Sequence, residues 1–426
     1  MDQNAESLDI VRGLAHRLNR EWDSQFTIMA YTNYQDALAG SQFVVNAIEV
    51  GARENLWRQD FELTLKHGVR QPYAENGGPG GFAHAARNIG PVMQIVHDME
   101  RACPDAWFIN FTNPMIRICD AVNRHSRIKV VGLCHQIYTG YIMVGVALAN
   151  DLGIEVPDGL TGVHAALDQS LHQHRVREQI VPRIEISAAG LNHFTWILSV
   201  HDRRTGEDLY PLLRKRFFEL KPEFEPLTRE MFSAFGLFPV PGDTHLCEYL
   251  PWMSDPQTRP WDKYNLRLYE WDVRESARTS GYDRLNDMAQ NEAPIDSLLH
   301  TDSEGALEMI EHIAGAGSHY HLAANLPNSG QIPNLPLGAI VETPVHVNAS
   351  GILPVHTGAL PEPIAELCRR EITTAQLCVD AAVDGDRGKA LQCLVLDPVI
   401  TDIDTAKKIL DEYLISYRDY LPQFWK

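Results

Sequence analysis

The sequence predicts an α/β fold, with a mostly parallel sheet domain over residues 1–176 and an α+β domain over 177–426. Strand-like apolar runs alternate with helix-period segments through about the first 150 residues, the pattern of crossovers onto one sheet. Past that point the signals change to closely paired strands and then to long helices. A chain of 426 residues, 44% hydrophobic and 22% charged, also suits about two domains with substantial cores.

The elements follow in order. Leu8, Val11, Leu14 and Leu18 recur at helical spacing and mark one apolar face. Phe26–Met29 reads as a short strand, and Phe43–Ile48, FVVNAI, as a strand covered on both faces. Val92, Ile95, Val96 and Met99 place a helix within 81–101. Trp107–Asn110 and Ile128–Leu133 read as further buried strands, each followed by a helix. In the second half, Arg183–Ala188 and Thr195–Val200 are strands flanking GLNHF. Residues 220–260, rich in Pro, Gly and aromatics, read as loops and short helices. Helices are expected at Glu304–Ile313, Pro361–Val383 and Ile403–Tyr417.

Composition narrows the function. Thirty-seven Lys and Arg against 56 Asp and Glu give a net charge of −19, which argues against a general nucleic-acid binder. A local basic pocket would still accept an anionic substrate. The opening MDQNAESLD has no secretory signal, and apolar stretches such as Ile142–Leu148 fall short of the roughly 20 residues a membrane span needs. Seven scattered cysteines without a CxxC pair fit free thiols in a reducing compartment. A cytoplasmic protein without nucleic-acid or membrane partners is the expectation.

Six segments could carry chemistry. In Tyr73-Ala-Glu-Asn-Gly-Gly-Pro-Gly-Gly81 the glycines form a shaped turn before a helix, either a plain surface connection or a set of N–H groups for an anion. Asn110-Phe-Thr-Asn-Pro114 ends a strand, where open α/β sheets place ligands, and its amides can bind a polyol. Gly132-Leu-Cys-His-Gln136 and Gly190-Leu-Asn-His-Phe194 supply Cys134 and His193, which are either packed core residues or ligands of a borderline metal. Asp243, His245, Glu248 and Tyr249 put four proton-transfer groups within seven residues. Leu326–Pro336, with Glu342 beyond it, reads as a rigid pocket wall or an ordered structural loop.

Taken together these segments resemble family 4 of the glycoside hydrolases, whose members depend on NAD and a divalent metal. The likeness spans nearly the whole chain, through ALAGSQFVVNAIEVG, GGPGGFAHAARNIGP, CPDAWFINFTNPM, VVGLCHQ, AAGLNHFTWI, GDTHLCEYLP and NLPNSGQIPNLPLGAIVETP. GLNHFTWI, GDTHLCEYLP and the late Asn/Pro-rich loop look most like the α-galacturonidase branch. The resemblance implies a Rossmann-like first domain and Cys134 and His193 as ligands of Mn2+ or another divalent ion. It implies sugar contacts from Glu75, Asn113, Asn192 and Glu248, and catalytic roles for His135, Asp243 and His245. Cofactor contacts are implied at Asp2, Asn46, Gly78, Gly80 and Asn110. A small sugar or oligosaccharide is the implied partner, in a homodimer or homotetramer.

The implied reaction differs from the two-carboxylate pattern of most glycosidases. NAD+ oxidises sugar C3, the metal acidifies the C2 proton, a base removes it, and the C1 leaving group is eliminated before water adds and the hydride returns. An α-galactosidase or α-glucosidase of the same family is the alternative, as is a sugar-binding protein without activity. Three departures from the family pattern bear on this. ENGGPGG stands where DTxGPGG is usual, and Thr244 stands where galacturonidase relatives tend to carry Arg. The family's first strand, glycine-rich turn and first helix have no counterpart here, which is expected to reflect a misplaced start codon or a shortened chain, or else a natural variant with weak NAD binding.

Overall fold

The computed structural model describes residues 1–73, 75–163, 170–300 and 303–426. Ala74, within the glycine-rich segment, lies outside the described residues.

One continuous sheet organises the chain. Its strands are β1 (Phe43–Asn46), β2 (Trp107–Asn110), β3 (Lys129–Gly132), β4 (Ile184–Leu191), β5 (Phe194–Asp202), β6 (Phe238–Pro239), β7 (His319–Pro327), β8 (Ile340–Asn348) and β9 (Gly351–Pro354). Their order is β1-β2-β3-β7-β8-β4-β5-β6, with β9 on β8. Only β1–β2 and β2–β3 are parallel, and the other six pairings are antiparallel. The expectation of a mostly parallel sheet is therefore corrected to a mixed one. The physical reason lies in the connections. Helices link the first three strands and keep them parallel, whereas β4–β5 and β7–β8 are successive strands that pair directly and must run antiparallel.

Two narrow joints hold the halves of the sheet together. β3 meets β7 through Gly132 and Asn325, and β8 meets β4 through Glu342 and Gly190. At the first joint a Cβ on Gly132 would lie 2.4 Å from Met115 Sδ and 3.0 Å from Asn325 Cβ, so the close approach needs glycine.

Helices cover the parallel strands from one side. The helix Gly78–Ala102 lays Val92, Val96 and Met99 against Phe108 and Val130, and Glu362–Asp384 adds Cys378 and Val379 to the same core. On the other side Met309, from the helix Ala306–Ile313, packs with Ile109, Val131 and Val345. Each fully buried side chain of this kind contributes about 1.5–3 kcal/mol relative to exposure. Inside the first layer, Arg87 and Asp60 form a bidentate pair at 2.8 and 2.7 Å, neither more than 1% exposed.

The N-terminal helix Ala5–Glu21 starts at Asn4, whose side chain accepts from Glu6 N–H and Ser7 N–H. Its Arg17 ties it to the helix Trp271–Ala289 through the carbonyls of Met288 and Ala293. The expected strand at Phe26–Met29 is not formed. That segment pairs with no strand, and Phe26 and Met29 are 75% and 66% exposed, so neither ladder hydrogen bonds nor burial favour a strand.

Candidate active site

Two tight connections bring Cys134 and His193 together. β3 ends at Gly132, two residues before Cys134. β4 and β5 are joined by Asn192 and His193 alone, and His193 takes a left-handed φ of 59°. A non-glycine residue at positive φ in so short a turn is uncommon and points to a functional constraint. The Cys134 Sγ lies 3.4 Å from His193 Nε2. Burial pushes the Cys134 thiol up; burial, with help from His245 and His135, pulls His193 well down.

Further donors surround the pair. Donor atoms of Glu75, His193 and His245 all lie within 4.8 Å of one another. Asn76 Nδ2 is 2.6 Å from His193 Nδ1. An amide offers oxygen and nitrogen at equal reach, so the same contact supports Nδ1–H donation to Asn76, which leaves Nε2 bare. Thiolate, imidazole and carboxylate make a suitable donor set for a divalent transition metal, and these residues fit one.

Two asparagines are held in a shared pattern. Asn113 Nδ2 donates to Glu75 Oε1 at 2.6 Å, and Asn192 Nδ2 donates to Glu342 Oε2 at 2.9 Å. In both, the amide oxygen is buried and has no partner. A buried acceptor without a donor is costly, and a ligand hydroxyl is the group that would satisfy it. Glu342 is itself 1% exposed and accepts also from Thr195 Oγ1 and Asn325 Nδ2; burial raises its carboxyl despite these bonds.

The turn before the helix Gly78–Ala102 does bind an anion, but the anion belongs to the protein. Glu248 Oε2 accepts from the N–H groups of Glu75, Asn76 and Gly77 at 3.0, 2.8 and 3.1 Å. Gly80 N–H donates to Gln71 Oε1. Asn46 Nδ2 donates to Asn110 Oδ1 and Thr112 Oγ1, while Asn110 Nδ2 turns to the Thr112 carbonyl. Thus the N–H of Gly80 and the amide nitrogens of Asn46 and Asn110 have partners within the protein. Asp2 is exposed and accepts from the Asn4 N–H.

The expected catalytic and sugar-binding residues separate in the same way. His135 is exposed and bonds Glu304 Oε1 at 2.8 Å, a contact that raises its pKa. His245 donates from Nδ1 to Glu248 Oε1 at 2.8 Å, and its ring lies 4.0 Å from that of His193. Glu248, expected to touch sugar, is 1% exposed and accepts from the turn and from His245. Asp243, expected to act on protons, is 0% exposed and caps the helix Pro226–Phe235 through the N–H groups of Leu227 and Thr228. Burial, with Glu225 adding to it, raises its pKa well above the usual carboxylate range.

A cavity of about 250 Å³ opens from His135, His193 and His245 toward Thr244, Tyr138 and Arg177. No Asp or Glu lines it among the described residues. Asn76, Gln136 and Glu304 were not singled out for function by spacing. Asn76 meets His193 and Glu304 meets His135, partners far off in sequence, so no local motif marks them. Gln136 keeps both buried side-chain polar atoms without a partner beside the same cavity.

An α/β fold that brings a thiol after a parallel strand onto an imidazole in a hairpin turn has the donor set of a metal-dependent enzyme. The family "Family 4 glycosyl hydrolase" matches residues 1–149, and "Family 4 glycosyl hydrolase C-terminal domain" matches 188–400. The chain belongs to family 4 of the glycoside hydrolases, a class that works with NAD and a divalent metal. It is 29% identical to an α-galactosidase of Bacillus subtilis (strain 168), over 96% of this chain and 89% of that one. It is 27% identical to an α-galacturonidase of Thermoanaerobacterium saccharolyticum, over 100% of this chain and 90% of that one. A 6-phospho-α-glucosidase from gut microorganisms, solved with NAD and Mn2+, shares the fold at a TM-score of 0.77 and 20% identity, covering 99% of this chain and 91% of that one. No described helix is long and apolar enough to cross a membrane.

Proposed function

We propose that the protein hydrolyses α-glycosides, with α-galacturonides as substrates, using NAD and Mn2+ or a similar ion. The observation that carries this reading is the Cys134–His193 pair, 3.4 Å apart, beside two asparagines whose buried amide oxygens lack partners. Cys134 and His193 would hold the metal, and Asn113 and Asn192 would accept hydrogen bonds from sugar hydroxyls. When bound, NAD supplies a reversible hydride acceptor for C3 and the ion supplies Lewis-acid polarisation of the neighbouring oxygens.

The remaining steps fall to this chain's own side chains. His245 presents Nε2 as the acceptor for the C2 proton, since its Nδ1 is tied to Glu248. His135, with its pKa raised by Glu304, is suited to donate a proton to the leaving group at the cavity mouth. Asp243 takes no part, being consumed by its helix cap.

The substrate class rests on the cavity and the relatives. Thr139, Thr244 and Gln136 line the same cavity and suit a hydroxylated sugar. Relatives named as α-galacturonidases match at 25–28% identity over at least 91% of this chain. Hydrolysis of a panel of aryl α-glycosides with NAD+, Mn2+ and reductant tests it. Turnover of the galacturonide in D2O should leave deuterium at C2; efficient turnover of the galactoside with none of the galacturonide would overturn the substrate assignment, and unexchanged C2 would overturn the elimination.

A further inference from the structure

We infer that Glu248 is a positioning residue whose two carboxylate oxygens lock the turn at residues 75–77 and the tautomer of His245 to each other. The inference rests on the reading of His245 as proton acceptor given above. Oε2 takes three successive backbone N–H groups, and Oε1 takes the Nδ1 proton of His245. No Lys or Arg pairs with this carboxylate among the described ion pairs, although it is 1% exposed. Its charge is met by the turn and the imidazole alone.

The direction of the histidine bond is not open to choice. An ionised carboxylate oxygen only accepts, so Nδ1 must carry the proton and Nε2 must be bare in the neutral ring. That bare nitrogen lies 3.8 Å from Glu75 Oε2, on the side of His193. Glu75 is itself held by its own N–H on Glu248 and by Asn113 on its side chain. One carboxylate thus orients the proton acceptor and the backbone that carries a sugar-site residue.

The packing around it is close. A Cβ on Gly77 would fall 2.5 Å from the Glu248 carbonyl oxygen and 3.0 Å from its Cβ, so the turn and the 247–249 segment are in direct backbone contact. Tyr73 meets the His245 ring edge-on at 5.2 Å and closes the remaining side.

Glu248→Gln separates the two jobs. The amide oxygen can still accept from the turn, but the amide N–H₂ facing Nδ1 donates, which selects the opposite tautomer. Nitrogen-15 NMR of histidine-labelled, metal-free protein at pH 9, with His245 assigned from His245→Asn, should show Nδ1–H in the wild type and Nε2–H in Glu248→Gln. An Nε2–H tautomer in the wild type overturns the inference without any variant. In turnover, Glu248→Gln should lower kcat about 10–100-fold with KM and Mn2+ affinity unchanged. Combined with His245→Asn it should cost nothing more; additive losses overturn the inference. A wild type with the Nδ1–H tautomer and no glycosidase activity would instead sink the proposed function and leave the Glu248–His245 lock standing.

Discussion

Cys134 Sγ and His193 Nε2 stand 3.4 Å apart although they are 59 residues apart in the chain, one after a parallel strand and the other in a hairpin turn. That spacing suits two ligands of one tetrahedral or octahedral ion. Cys134→Ser and His193→Asn should each weaken Mn2+ binding at least about tenfold and abolish turnover. His245→Asn should keep Mn2+ affinity and lose turnover. Electron paramagnetic resonance of free Mn2+ measures both, and weakened binding in His245→Asn would make that residue a ligand.

Gly77 is a second point of test. A methyl there meets backbone of residue 248, which cannot retreat as a flexible side chain would. Gly77→Ala should destabilise by about 1–3 kcal/mol in urea unfolding. Gly281→Ala, in the middle of the helix Trp271–Ala289 with nothing within 4 Å, should stabilise by about 0.5–1 kcal/mol.

Glu49 predicts an acid sensitivity. Burial opposes its charge, but His84 and then Arg53 outweigh that and bring the carboxyl down to about 2. A carboxyl lowered on folding adds stability that is present above its ordinary value of 4.5 and lost as pH falls toward 2. The loss should approach about 3 kcal/mol. Urea midpoints at pH 5.5 and 3 should differ less in Glu49→Gln than in the wild type.

The buried Arg87–Asp60 pair should be costly to break and cheap to replace. Arg87→Met alone leaves a carboxylate at 0% exposure and should cost about 3–5 kcal/mol, whereas Arg87→Met with Asp60→Leu should recover most of it. Equal losses in the single and double variants would mean that the Tyr417 ring under Arg87, 4.5 Å away, matters more than the charge.

Local signals carried much of this fold. Trp107–Asn110 is a strand with the expected bounds, and the helix expected at Pro361–Val383 spans Glu362–Asp384. What periodicity could not convey was strand direction: nothing near Lys129–Gly132 tells that its next neighbour is Asn325. Strands β7 and β8 were missed because His319, His321 and His346 interrupt the apolar alternation that marks a strand. At the site, the family motifs led to Cys134, His193, Asn113 and Asn192, which the fold gathers. Asp243 and Glu248 also bond backbone N–H groups, and a helix cap or a carboxylate-filled turn has no signature beyond a local density of acids.

The joint between Gly132 and Asn325 spans 193 residues of chain. A ribosome adding about 5–20 residues each second needs roughly 10–40 s to cover that gap. Throughout that interval the side of β3 that will meet β7 is a naked ladder edge, open to any other nascent strand. Cys134 waits at the end of the same strand, and its imidazole partner is held in a hairpin that joins the sheet only through β8. Synthesis therefore exposes a free thiol and the sticky edge together, and production should depend on reducing conditions and on chaperones that shield the half-built sheet.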